Sequence, residues 1–198
     1  MQPNLMDIRG ASHAIPKDKF SLSDWRATSE TFLYSIAIGQ EEIAPFIVMV
    51  CDPEPEGDSY MGMYIDITPF MSDPDSKYAL GSVIGDFVER YRGFASMMFT
   101  EAWLAKSAFE DVEEFEKRRE ELGAIANFPD KEEVIIVAYQ SKLEKSVKVL
   151  AIEREGSVIG EGRISGLSEQ PAYSKIGTHY EMGAHMKWFD DPTPVAMA

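Results

Sequence analysis

The spacing of hydrophobic residues changes several times along the chain, and each change marks an element. Trp25, Phe32, Leu33, Ile36 and Ile43 recur at helical spacing after Ser21-Leu22-Ser23-Asp24, whose side chains can accept the unpaired N–H groups of a first turn. This predicts a helix over 22–43. Pro45 ends it, and the apolar run Phe46-Ile47-Val48-Met49-Val50-Cys51 predicts a strand. Met61, Met63, Ile65 and Ile67 then alternate with Gly62, Tyr64, Asp66 and Thr68, the period of a half-buried strand ending at Pro69. Ser72 and Asp73 before Pro74 read as a helix start, because a proline at the first helical position loses no hydrogen bond. Tyr78, Leu80, Val83, Ile84, Phe87, Val88 and Tyr91 carry that helix to Gly93. From Phe94 the period falls to two, and Ala95, Met97, Phe99, Glu101 and Trp103 share one face.

Beyond this point the pattern predicts an acidic helix from Glu110 to Leu122, carried by Val112, Phe115 and Leu122. Asn127-Phe128-Pro129-Asp130 is a turn cluster. Glu133 to Tyr139 is apolar on both faces, as in a central strand. Ser146–Arg154 and Val158–Ile164, joined by a tight turn at Glu155-Gly156, complete a three-strand meander. At most one further short strand is expected, near His179 to Trp188. These elements predict an α+β fold: a mostly antiparallel sheet of about five to six strands with the 22–43 and 74–92 helices packed on one face. A single domain over 1–198 is expected, with flexible ends at about 1–18 and 190–198.

Charge changes the list of partners. The chain carries 34 Asp and Glu against 19 Lys and Arg, a formal net charge of -15. That field repels nucleic-acid backbones and anionic lipid, and the densest basic cluster, Lys117-Arg118-Arg119, lies among Glu113, Glu114, Glu116, Glu120 and Glu121. No stretch approaches the roughly 18 apolar residues of a membrane span, and no signal-peptide pattern opens the chain. A cytoplasmic protein with no direct nucleic-acid or membrane partner is the expectation. The single cysteine, Cys51, reads as a small buried hydrophobe.

Candidate chemistry centres on Glu101. Strand alternation sets its carboxylate between Phe99 and Trp103, where desolvation raises a carboxyl pKa unless a cation or N–H donor answers it. Such a group is either an acid–base residue or a structural ion pair with a Lys or Arg from a neighbouring strand. His179, Glu181 and His185 are metal-ligating types of one strand parity, but His179 and His185 stand about 20 Å apart on a straight strand, so a shared ion requires a bend at Gly183. Asp52, Glu54, Glu56 and Asp58 imitate a calcium loop, yet Met63 occupies the position that needs a bidentate Glu, and Pro53 and Pro55 stiffen the wrap. Neither a nucleophile elbow nor a phosphate loop is present, and no cofactor is implied.

Phe99-Thr100-Glu101-Ala102-Trp103 followed by Pro129-Asp130-Lys131-Glu132-Glu133 and Val134-Ile135-Ile136-Val137 resembles a loose group of uncharacterised bacterial and phage proteins that carries no known activity. The usual residue at the place of Lys131 in that pattern is Arg. The resemblance implies that Glu101, Trp103, Asp130 and Lys131 converge where two strands meet, with Lys131 as counter-charge to Glu101. The leading functional expectation is an acidic, non-enzymatic interaction protein with an unknown protein partner. The alternatives are a small-molecule-binding protein or enzyme using Glu101 as acid or base, and an acidic mimic of nucleic acid that occupies a basic partner.

Overall fold

A computed structural model describes residues 9–71, 74–105, 112–123, 125–141 and 144–171. Among the described residues seven strands form one sheet: β1 (Arg9–Pro16), β2 (Phe46–Cys51), β3 (Ser59–Asp66), β4 (Gly93–Ala105), β5 (Lys131–Ser141), β6 (Lys145–Glu155) and β7 (Val158–Pro171). Every neighbouring pair is antiparallel, in the order β1-β3-β2-β4-β5-β6-β7. Three α-helices accompany them among the described residues: α1 (Leu22–Ala37), α2 (Pro74–Tyr91) and α3 (Val112–Leu122). The protein is therefore α+β with an antiparallel sheet, and the sheet has one more strand than the upper expectation. No described helix is long and apolar enough to cross a membrane.

The added strand is β1, which falls in the stretch expected as a loose end. Its small residues Gly10, Ala11, Ser12 and Ala14 give no apolar alternation, yet all eight positions pair with β3. Gly62 makes the close approach possible. A Cβ there would lie 2.5 Å from the imidazole Cε1 of His13, its cross-strand partner.

The two main helices do not share a face. Leu33 and Ala37 of α1 pack with Phe46, Met97, Phe99, Ile135, Val137 and Leu150. Leu80 and Ile84 of α2 pack with Ile47, Met49, Met98, Val134, Ile136 and Val149. Residues of β2, β4 and β5 with opposite parity thus enter different cores, which places α1 and α2 on opposite sides of the sheet. The physical reason lies in the central strands. From Val134 to Ser141 every residue is buried, and β2 is buried at five of its six positions, so both faces need cover.

Helix α1 begins at Ser21, whose hydroxyl accepts the Asp24 N–H at 3.3 Å, and it stops at Ala37, six residues before the predicted end. Gly39 adopts φ 79°, the left-handed conformation that ends a helix. Ile43 therefore belongs to the α1–β2 connection. Its inner face is fastened over β5 and β6: the Arg26 guanidinium lies 4.6 Å from the Tyr139 ring centre, and Glu30 pairs with Lys148 at 2.7 Å. The capping residues expected before α2, Ser72 and Asp73, lie outside the described residues.

Candidate functional site

Glu101 projects from β4 on the α1 side of the sheet, on the same face as Phe99 and Trp103, as the two-residue period requires. Its side chain is 16% exposed. The cation that answers it is Arg154, near the end of β6 and two strands away. Arg154 Nη2 donates to Glu101 Oε1, and also to Glu133 Oε1 at 2.6 Å, while Nε donates to Glu133 Oε2 at 2.7 Å. Its Nη1 donates to the carbonyls of Glu41 at 2.6 Å and Ser157 at 2.9 Å. The remaining Glu101 oxygen, Oε2, accepts the backbone N–H of Ile43 at 2.9 Å. One guanidinium fork thereby joins β4, β5, the α1–β2 connection and the β6–β7 turn.

Two carboxylates share that single cation, and their electrostatics diverge. Burial, and then the hydrogen bond with Glu133, pushes Glu101 up to about 6, against the lowering influence of the Ile43 N–H and Arg154. The Arg154 hydrogen bond holds Glu133 below its usual value. One carboxyl group is thus held ready to keep its proton beside one that stays ionised, a pairing characteristic of carboxyl groups forced together.

The remaining residues implied by the resemblance do not converge on Glu101. Register sets Glu101 opposite Ile135 and Ala105 opposite Lys131, so Lys131 begins about 13 Å along β5 from the position facing Glu101. Its ammonium instead lies 4.8 Å from the Trp103 ring centre and donates to the Ala126 carbonyl. Trp103 is 40% exposed. Asp130 turns towards α3, where its Oδ1 pairs with Arg118 Nη2 at 2.8 Å. Lys131 is therefore not the counter-charge to Glu101, and Asp130 is not a second carboxylate beside it. The residues that the sequence reading missed are Glu133 and Arg154. Arg154 shares strand parity with the core residues Leu150 and Ile152, a signal that it points to the same face.

The candidate metal ligands His179, Glu181 and His185 lie outside the described residues. Among the described residues no group of three or more His, Cys, Asp and Glu side chains is placed to hold a metal ion. Cys51 is wholly buried, and desolvation pushes its thiol up to about 12, the behaviour of a packing residue with no thiolate chemistry at neutral pH. The acidic Asp52–Asp58 turn and α3 stand at opposite ends of β4, since Cys51 pairs with Gly93 whereas Ala105 pairs with Lys131. Twelve strand steps, about 40 Å, separate those ends.

Fold and site together define an antiparallel α+β protein with a closed carboxylate–guanidinium cluster at the sheet end. No protein-family model, curated protein or solved structure matches the chain.

Proposed function

We propose that this is a non-enzymatic interaction protein whose acidic exterior selects a basic protein partner. The observation that carries this reading is the engagement of Glu101. Both of its oxygens are committed within the protein, one to Ile43 N–H and one to Arg154, which suits a residue that holds elements together more than one that meets a substrate. The net charge of -15 supplies long-range attraction to a basic surface. Phe32, Ile38, Trp103 and Leu122, each 39–42% exposed, supply apolar contacts that a partner can cover.

The test is capture of partners from native extract on the immobilised 198-residue chain, at about 0.05 M and about 0.5 M salt. A stoichiometric basic protein retained at low salt and released at high salt is the expected result. Failure to retain any protein under either condition overturns the reading.

A second reading is favoured by one feature, the elevation of Glu101 to about 6, which suits general acid–base work near neutral pH. Under that reading Glu101→Gln abolishes ligand binding or turnover while the fold is kept.

A further inference from the structure

The face of the sheet that α2 covers carries a block of sulfur. Met49 and Cys51 of β2 stand opposite Met63 and Met61 of β3, and all four belong to the core beneath α2. The Cys51 thiol meets the Met63 thioether at 3.7 Å, Sγ to Sδ, although the two residues are diagonal to one another and not directly opposite. The Met63 side chain therefore leans along the sheet towards Cys51. Met49 leans the same way. A Cβ on Gly93, the β4 partner of Cys51, would lie 3.0 Å from the Met49 sulfur, so the absence of a side chain at Gly93 is what admits that sulfur to the level of Cys51. Three sulfurs from two strands thus gather at one level of the sheet, with Met61 alongside.

We propose that Cys51, Met49 and Met63 bind one soft monovalent cation, Cu(I), through a thiolate and two thioethers. The spacing suits such an ion: two sulfurs each held about 2.3 Å from one metal stand about 3.8–4.0 Å apart, and Cys51 and Met63 are already close to that separation. The donors choose the ion, because thiolate and thioether sulfur are soft ligands that favour Cu(I) over the hard cations held by oxygen. Charge points the same way. The surrounding core is apolar, and one thiolate neutralises a single positive charge, whereas a divalent ion would leave a net charge buried there. On binding, the S–H bond of Cys51 breaks, an S–Cu bond forms and the proton passes to water; the copper stays Cu(I). The ion itself thereby creates the thiolate that the buried thiol does not supply alone. Met49 and Cys51 are wholly buried, while Met61 and Met63 are half-buried beside Ala14 and Ser12, small exposed residues of the edge strand β1. The ion enters from that side, past the β3 thioethers.

Anaerobic titration of the 198-residue chain with Cu(I), in competition with a chromophoric Cu(I) chelator, tests the site. Uptake of one equivalent with an ultraviolet sulfur-to-copper charge-transfer band is the expected result. Met49→Leu and Met63→Leu keep volume and apolar character and lose only the donor, so each is expected to weaken that equivalent roughly tenfold or more, and Cys51→Ala to abolish it. Met98→Leu lies in the same core but opposite Ile47, and is expected to bind as the parent chain does. Circular dichroism checks each fold, and the leucine variants decide the matter if Cys51→Ala fails to fold. Ag(I), a redox-inert substitute, is expected to shift the methyl NMR signals of Met49 and Met63 and to leave that of Met98 in place. Failure of the parent chain to take up Cu(I), or an affinity unchanged in both Met49→Leu and Met63→Leu, overturns the proposal and leaves the sulfurs as packing alone.

Discussion

At the scale of single residues, the cluster around Arg154 shows why an arginine is needed where a lysine would not serve. A planar fork delivers five hydrogen bonds in fixed directions to two carboxylates and two carbonyls, and a lysine ammonium offers three donors from one point. Linkage gives the pH consequence. Glu101 has a higher pKa in the folded protein than its ordinary value of 4.5, so between about 4.5 and about 6 the folded state binds more protons than the unfolded chain. Its contribution to stability is fully present below that window and is lost as pH rises through the folded value. Glu133, with a lowered pKa, acts in the opposite sense, and its contribution is lost only below the ordinary carboxylate range. A denaturant titration repeated across pH 4.5 to 7 is expected to show Glu101→Gln cancelling a decline of about 2 kcal/mol relative to the parent chain. An identical slope in both proteins would show that Glu101 is not the group responsible. The sequence made the carboxylate beside Phe99 and Trp103 legible, since two-residue alternation alone sets that neighbourhood. Its partner was not legible. Arg154 is 53 residues away in the chain, and only the stacking of β4, β5 and β6 brings it within reach.

At the scale of elements, local chemistry and burial each decided different features. Capping chemistry places the start of α1 at Ser21 in both sequence and structure. Replacing Ser21 by Ala removes the acceptor for the Asp24 N–H and is expected to lower stability by about 1 kcal/mol, read as a shift in denaturation midpoint with unchanged slope. The helix ends earlier than its apolar spacing suggests, because Gly39 turns the chain while Ile43, although in phase, is buried from a loop. Phe32 shows the opposite error: it is in register with the stripe but 42% exposed, touching Phe46 edge-on at 6.3 Å between ring centres. Strand β1 was invisible because small residues carry no periodic signal, and its place depends on β3 offering a glycine opposite His13. The side on which each helix packs was readable in principle. The continuous apolar runs of β2 and β5 demand cover above and below, which one layer of helices cannot give.

For the whole molecule, the order of strands matters more than their number. Within the sheet, β1, β3 and β2 are joined to the β6–β7 hairpin through the central pair β4 and β5, which are matched over eleven residue pairs from Ala95–Ser141 to Ala105–Lys131. Between those two strands the chain detours through α3, and Gly123 leaves it at φ 76° with open space around its α-carbon. A backbone cut after Gly123 therefore severs no rung of the ladder. The two pieces, 1–123 and 124–198, each carry a long apolar strand edge that wants the other, and alone each should be prone to self-association. Mixed from denaturant, they are expected to recover the intact protein's circular dichroism and elute as one 1:1 particle. Persistent separation of the pieces would mean that the covalent detour itself holds the halves in register. Seen this way, the seam at the heart of the sheet is also the place where the molecule can be taken apart and put back together.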